Sequence, residues 1–211
     1  VTAKGVFKKA EAGKWNVAIS DLTLGGHSVA NYVLAESGNQ TETTATITAK
    51  QITVSITPNG GTYGGTITPA SATANDVVGE DAPEITLTYT GTANDGTKYT
   101  GTTPPAKAGT YTVTATTTNP NYTLDPDTNT AEFAIAKRPA TVTPDDKTKV
   151  YEEKDPDLTY AVSGVLDGET LKGITLTRAK GENAGKYAIT ATADAGANPN
   201  YDVTFAEGTL T

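Results

Sequence analysis

The chain of 211 residues contains no cysteine and a single histidine, His27. Without cysteine, neither a disulfide framework nor a thiolate metal site can form. The formal net charge of −8 argues against binding to a phosphate backbone, which needs clustered Lys and Arg. No apolar run approaches the roughly 18 residues of a membrane-spanning helix. The sequence therefore predicts that this segment neither binds nucleic acid nor inserts into a membrane.

Methionine is absent as well, and the chain begins at Val1 without the charged and apolar pattern of a signal peptide. We therefore expect a processed product or an excised piece of a longer protein.

Threonine is the most abundant residue, with 42 of 211 positions. It is β-branched and suits the exposed face of a pleated strand. The threonines alternate with apolar residues, as in the run from Tyr111 to Thr116. This alternation is typical of half-buried strands and has no role in a disordered chain. The sequence therefore predicts an all-β protein.

A two-part signature occurs three times: Ala-Gly, any residue and a large aromatic, followed after an alternating run by Asn-Tyr. The three copies start at Ala12, Ala108 and Ala184, and their second parts are Asn31-Tyr32, Asn121-Tyr122 and Asn200-Tyr201. An internal repeat indicates an array of related small modules. The order of strand, turn and strand in each copy predicts a hairpin.

Module boundaries follow from the parity of the apolar positions. The apolar positions just before the first boundary are odd (Ala45, Ile47, Ala49) and those just after it are even (Ile52, Val54, Ile56). At the second boundary they change again, from odd (Phe133, Ile135) to even (Ala140, Val142). A change of parity inside one strand would move its apolar side chains into water. We therefore predict a C-terminal part of a β module at 1–49, a second β module at 50–137 and a third at 138–211.

Each module is predicted to be a small antiparallel Ig-like β-sandwich. The alternative is a β-grasp-like fold with one short helix, for which 165–171 is the best candidate segment. The six aromatics of the signature share the parity of the apolar residues, and we interpret them as core anchors whose polar atoms bond to backbone or water. They are Trp15, Tyr32, Tyr111, Tyr122, Tyr187 and Tyr201.

The third module carries a series of short motifs: Lys149 and Tyr151, Asp155-Pro156, Leu158-Thr159-Tyr160, Gly181-Glu182-Asn183, Gly185, Tyr187 and Asn200-Tyr201. Together they resemble the MBG domain, a repeat of bacterial adhesins, in its Tyr-Gly type. Glu152 occupies the position at which the family usually has glycine. Residues 50–137 resemble a divergent relative, and 1–49 resemble the end of the associated YDG-type repeat.

The resemblance implies large secreted or wall-attached bacterial surface proteins, built of tandem β modules, involved in adhesion and without catalytic residues. We therefore expect extracellular stalk repeats that are structural or adhesive. The alternatives are a ligand-binding adhesin module for a host glycoprotein or glycan, and an accessory region of a secreted enzyme. The expected partners are neighbouring repeats of the same chain and a host-surface protein or glycan.

Candidate catalytic and metal-binding groups are few. A Ser-His-Asp arrangement would have to use His27, which lies in a glycine-rich turn that orients a base poorly. The run 125–129 opens like an EF-hand loop but lacks its glycine and its final glutamate. A looser calcium site there, or at Asp145-Asp146 with Asp155 and Asp157, is the one metal alternative. We expect no catalytic residue, metal or cofactor.

A spontaneous Lys–Asn isopeptide bond is a known cross-link of bacterial surface modules, and it needs a buried, neutral lysine. Here Lys14 and Lys186 alternate in parity with the aromatic anchors, so they should point to solvent. The asparagines of the signature fall in turns. We therefore predict no such bond. Intact mass spectrometry tests this, because bond formation would lower the measured mass by one ammonia.

Overall fold

Alternating polar and apolar residues form short strands in every part of the chain, separated by turns and irregular segments. The computed structural model describes all 211 residues and contains 18 strands and one 3-10 helix, Val29–Asn31. The prediction of an all-β protein is confirmed. The strands are β1 Thr2–Phe7, β2 Gly13–Thr23, β3 Glu42–Ile47, β4 Lys50–Ile52, β5 Val54–Thr57, β6 Gly61–Thr62, β7 Ser71–Ala74, β8 Thr86–Ala93, β9 Lys98–Gly101, β10 Gly109–Thr116, β11 Tyr122–Leu124, β12 Thr130–Ala136, β13 Arg138–Pro144, β14 Tyr160–Ser163, β15 Ile174–Arg178, β16 Tyr187–Ala193, β17 Tyr201–Phe205 and β18 Gly208–Leu210.

The strands assemble into six small sheets, with the orders β1-β2-β3, β11-β4, β5-β7, β6-β12-β10-β8-β9, β14-β13-β17 and β15-β16-β18. Antiparallel neighbours predominate, as predicted. Three pairs are parallel: β4 with β11, β6 with β12, and β13 with β17. Two of these pairs contain the strand that starts at the tyrosine of an Asn-Tyr pair.

The predicted hairpin within each copy of the signature is wrong. β10 pairs with β12, and β16 pairs with β15 and β18. The Asn-Tyr strands β11 and β17 instead pair with β4 and β13 in separate sheets. The turn between the two parts of the signature, rich in Asn and Pro, is long enough for the chain to cross from one sheet to the other. The first copy has no strand at its Asn-Tyr pair, which closes the 3-10 helix.

The helix of the β-grasp alternative does not form. Residues 165–171 are irregular, with a turn at Asp167 and Gly168. Gly168 has a φ of 81°, in the left-handed region that glycine adopts without strain, and this ends any helical run. The sandwich-like architecture therefore describes the modules.

The chain divides into two compact units, each of which combines segments from two of the predicted modules. The first unit comprises Val1–Ser55, Ala72–Thr86 and Ala115–Asn129, and the second comprises Ile56–Ser71, Leu87–Thr114 and Thr130–Thr211. The module boundaries at 49/50 and 137/138 stay a prediction.

The first unit contains the three-stranded sheet β1-β2-β3 and the parallel pair β4-β11. Strand β1 is exposed along its whole length. Within β2 only Val17 is buried, at 6 % exposure, whereas Ile52 of β4 and Tyr122 of β11 are 2 % and 5 % exposed. The apolar core of this unit therefore lies mainly around the β4-β11 pair.

The second unit contains the five-stranded sheet and the two three-stranded sheets of residues 138–211. The latter two sheets pack against each other through β13, β16 and β17. Their core residues are Ala140, Val142, Ile189, Ala191, Tyr201 and Leu210. In the five-stranded sheet, the rings of Tyr111 and Phe133 lie 5.7 Å apart, and those of Tyr89 and Phe133 lie 6.0 Å apart. Such aromatic pairs add to the stabilisation by buried area.

The glycine of the signature differs between copies in the space around it. A Cβ on Gly109 would lie 2.5 Å from the carbonyl oxygen of Thr92 and 2.7 Å from the Cα of Ala93, whereas a Cβ on Gly185 would have no neighbour closer than 3.9 Å. We expect Gly109→Ala to lower the free energy of unfolding by about 1–3 kcal/mol through overpacking. We expect the matched control Gly185→Ala to be neutral or to stabilise by up to about 1 kcal/mol. Urea unfolding of both variants measures this, and equal losses would contradict it.

Candidate functional site: the Asn-Tyr junctions

The aromatic residue in the first part of the signature makes the same hydrogen bond in all three copies. Its polar atom donates to the backbone carbonyl four residues earlier. The bonds are Trp15 Nε1–H to Glu11 at 2.6 Å, Tyr111 hydroxyl to Lys107 at 2.8 Å and Tyr187 hydroxyl to Asn183 at 2.7 Å. Tyr111 is fully buried, and the other two rings are half-buried. The signature therefore fixes the loop before the strand to the strand itself.

The tyrosine of the second part is a core anchor in two copies. Tyr122 and Tyr201 are 5 % and 6 % exposed. Each hydroxyl oxygen accepts a backbone N–H from a loop of its own module, Val78 at 2.8 Å and Leu166 at 3.1 Å respectively. A buried hydroxyl without such a partner would cost free energy, so the tyrosine holds this loop over the core.

The core-anchor prediction is wrong for Tyr32, which is 69 % exposed. Residues 1–49 form one three-stranded sheet and contain no counterpart of the loop that covers the other two tyrosines. The neighbouring Val33 is 92 % exposed. This copy of the signature therefore lacks the surroundings that bury the ring.

The asparagine before the tyrosine links two of the predicted modules. In the first unit, the backbone carbonyl of Asn121 accepts the N–H of Lys50 at 2.8 Å. Its side-chain Oδ1 accepts the N–H of Ala12 at 2.7 Å. Lys50 opens the second predicted module, and Ala12 opens the signature of the first. One residue thus satisfies backbone donors on both sides of the predicted boundary.

The second unit repeats this arrangement at the next boundary. The carbonyl of Asn200 accepts the N–H of Arg138 at 2.9 Å, and its Oδ1 accepts the N–H of Ala108 at 3.1 Å. Ala108 is 0 % exposed, so its donor has no access to water. Because buried backbone donors are almost always paired, Asn200 is required at this position. We call the arrangement of Asn, Tyr and the two N–H donors the Asn-Tyr junction.

An acidic side chain reinforces each junction. In the first unit, Asp81 accepts from the side-chain amides of Asn119 at 3.0 Å and Asn121 at 2.8 Å. In the second unit, the carboxylate of Glu169 accepts from the hydroxyls of Tyr201 and, at 2.6 Å, Tyr63. Hydrogen bonds to an ionised acceptor are shorter and stronger than neutral ones.

Tyr63 is the contribution of the second predicted module to this cluster. Its ring packs edge-on against Tyr201, with a centroid separation of 5.6 Å and an interplanar angle of 83°. The hydrogen bond to Glu169, together with burial, raises the pKa of Tyr63 to about 12. The hydroxyls of Tyr201 and Tyr63 lower the pKa of Glu169. The cluster therefore stays intact at neutral pH, with neutral tyrosines and an ionised glutamate.

Sequence reasoning located the asparagines only as turn residues and did not find Glu169 or the role of Tyr63. The available signal was the asparagine itself. It recurs before the tyrosine in all three copies, although a turn alone would also accept glycine, aspartate or serine.

The candidate catalytic and metal groups lie elsewhere and apart from one another. His27 is exposed in the turn before the 3-10 helix. Asp125 folds back on its own loop, because its Oδ1 accepts the N–H of Asp127 at 3.0 Å. The structure assembles no group of three His, Cys, Asp or Glu residues that could hold a metal ion. In particular, Asp155 is not grouped with Asp145 and Asp157.

Asp155 is engaged instead by two cations. Arg178 Nε donates to it at 2.7 Å and Lys149 Nζ at 2.8 Å. Glu182 bonds the same cations, at 2.6 Å to Arg178 and 2.7 Å to Lys149. The cation side chains are only 14 % and 12 % exposed. Arg178 and, to a smaller extent, Lys149 lower the pKa of Asp155 to about 2. This four-residue cluster ties the loop before β14 to β15.

The lowered pKa of Asp155 predicts that the third module loses stability in acid. The Asp155 contribution to stability is fully present above the ordinary carboxyl pKa of about 4 and is lost as the pH falls through about 2. We expect the chain to lose stability between about pH 4 and pH 2, and Asp155→Asn to show a shallower dependence in that range. Thermal melts from pH 7 to pH 2 test this, and parallel profiles for the two proteins would contradict it.

The family comparison identifies the last third of the chain. Residues 140–211 match the MBG domain (YGX type). The resemblance predicted for the third module is thereby confirmed; the resemblances of 1–49 and 50–137 stay predictions. No curated protein and no solved structure matches the chain. The MBG domain is a non-enzymatic repeat type found in surface proteins, so the match indicates a surface-protein repeat region. None of the structure's helices could cross a lipid bilayer.

Proposed function

We propose that the chain is part of a non-catalytic stalk of a bacterial cell-surface protein, located outside the cell. In this stalk, Asn-Tyr junctions hold successive β modules together. The observation that carries the proposal is the repetition of one junction: Asn121 and Asn200 each accept one N–H from their own module and one from the preceding Ala-Gly segment. A flexible linker would not require the same side-chain contact at both boundaries.

The connections between modules are also short. β3 ends at Ile47 and β4 begins at Lys50, and only Lys137 separates β12 from β13. A connection of one or two residues leaves little slack. Together with the hydrogen bonds of each junction, it restricts bending at the boundary, and resistance to bending is what a stalk requires of its repeats.

Distance measurements between two dyes test the proposal at the second junction. The chain has no cysteine, so Thr102→Cys and Lys180→Cys place dyes on two exposed positions of the second unit. A stalk repeat predicts one narrow distance distribution in single-molecule energy transfer. The matched variant with Asn200→Ala in addition should give a broader one. A broad distribution in the chain with Asn200 intact would overturn the proposal.

A direct adhesive function makes a different prediction. A ligand-binding module would show saturable binding of the chain to a particular host glycoprotein or glycan, and substitutions at one exposed patch would abolish it. The stalk proposal expects no saturable binding on a glycan array. Binding that is saturable and localised to one module would replace the stalk with the ligand-binding alternative.

A further inference from the structure

The third copy of the signature presents a junction surface that nothing covers. Ala108 N–H is paired with Asn200, and Ala108 is 0 % exposed. The corresponding Ala184 is exposed. Beside it lies a hollow of about 160 Å³, whose lining includes Tyr151, Ala184, Tyr187 and Leu210 together with the charged Lys149 and Glu182. We call this surface the Ala184 face.

Strand register shows that Tyr151 is the counterpart of Tyr63. Phe133 lies opposite Tyr111, and Leu210 lies opposite Tyr187, so Phe133 and Leu210 are equivalent positions. In the parallel strands beside them, Gly61 pairs with Ile135 and Lys147 pairs with Leu210. Ile135 lies two residues after Phe133, so Gly61 corresponds to the position two residues after Lys147. Tyr63, two residues after Gly61, therefore corresponds to Tyr151.

The backbone after these tyrosines supports the same equivalence. Gly64 has a φ of 75° and Glu152 a φ of 68°, so the two tyrosines are followed by the same left-handed turn. Tyr63 uses its position to pack on Tyr201. Tyr151 is 60 % exposed, which means that its ring has no corresponding partner. The Ala184 face thus offers a second element of the junction besides the N–H of Ala184.

We propose that the Ala184 face binds the Asn-Tyr end of a further MBG-type module. The side-chain oxygen of that module's asparagine accepts the N–H of Ala184, and its tyrosine packs edge-on against Tyr151. The asparagine contact is defined by both occupied junctions of the chain, and the edge-on tyrosine contact is defined by the junction at Asn200. This inference deepens the proposed function and rests on it.

Glu152 restricts which modules can bind. A Cβ on Gly64 would lie 2.5 Å from Cδ1 of Leu166, and Glu152 has such a Cβ at the equivalent position. An incoming module therefore needs a residue shorter than leucine at the position of Leu166. The Ala184 face thereby selects among modules that share the Asn-Tyr pair.

An extended chain tests the proposal on the unaltered face. Gly109 pairs with Ile135. The register of Tyr187 with Leu210 places Gly185, the equivalent of Gly109, opposite the first position after Thr211. A second copy of residues 135–211 is therefore added directly after Thr211, with Leu166→Ala in the copy alone. The matched control carries Asn200→Ala in the copy as well. Amide hydrogen exchange is followed by NMR at Ala184 and Ala108.

We expect the Ala184 amide to exchange about tenfold more slowly in the extended chain than in the original one, as one added hydrogen bond predicts. In the matched control its exchange should stay as fast as in the original chain. Fast Ala184 exchange in a folded extended chain, with the Ala108 amide protected, would overturn the inference and leave the proposed function intact. Loss of Ala108 protection in the original chain would instead count against the proposed function. Slow Ala184 exchange in the original chain that depends on protein concentration would identify a second copy as the occupant and overturn the commitment to a further module.

Discussion

Replacing Tyr201 with alanine is expected to lower the free energy of unfolding by about 3–5 kcal/mol, the range for truncating a large buried aromatic. The ring is 6 % exposed and packs against Tyr63. Its hydroxyl bonds both the N–H of Leu166 and the carboxylate of Glu169. The substitution thus removes core volume and leaves a loop donor without its partner. Urea unfolding monitored by circular dichroism measures the loss.

Tyr32 provides the matched control, because it holds the same place in the repeat and is 69 % exposed. Tyr32→Ala should change the free energy of unfolding by no more than about 0.5 kcal/mol. A third variant, Tyr201→Phe, separates the hydroxyl from the ring and is expected to cost about 1–3 kcal/mol. Comparable losses for Tyr32→Ala and Tyr201→Ala would show that sequence position, rather than burial, decides the effect.

The strands and their inward faces could be predicted from the sequence because the information is local. Parity alone placed Ile52 and Val142 in the core, and they are 2 % and 0 % exposed. The pairing of strands could not be obtained in this way. β11 and β17 lie in sheets other than those of the strands before them, because the chain crosses between sheets in the turn. Composition and alternation predict where a strand lies, but they do not determine which strand it pairs with.

The junction was harder to predict for a related reason. The Asn-Tyr pair was visible three times, but a recurring Asn in a turn is also explained by turn geometry. Its function depends on an N–H that is 109 residues away for Asn121 and 92 residues away for Asn200. Tyr32 shows the converse. Its sequence context matches that of Tyr201, but no loop covers Tyr32, so the ring is exposed although the sequence predicts burial.

Asn200→Ala is the second substitution with a large expected effect. It removes the Oδ1 that accepts the N–H of Ala108, and Ala108 is 0 % exposed. A buried donor left without a partner costs about 1–3 kcal/mol. The carbonyl of residue 200 still accepts the N–H of Arg138, because the substitution does not alter the backbone. The loss should therefore appear across the junction, while the pairing of β13 with β17 within the module persists.

Two readouts distinguish this from general damage to the module. The free energy of unfolding should fall by about 1–3 kcal/mol, and the Ala108 amide should exchange faster while the amides of β13 keep their protection. Asn31→Ala is the matched control, since Asn31 is exposed and should tolerate the change within about 0.5 kcal/mol. If β13 lost protection together with Ala108, Asn200 would be acting on the fold of its own module, and the repeated asparagine would not be a junction residue. If only the exchange of the Ala108 amide increased, the coupling between these two modules would depend on the side chain of Asn200. The same contact occurs at Asn121.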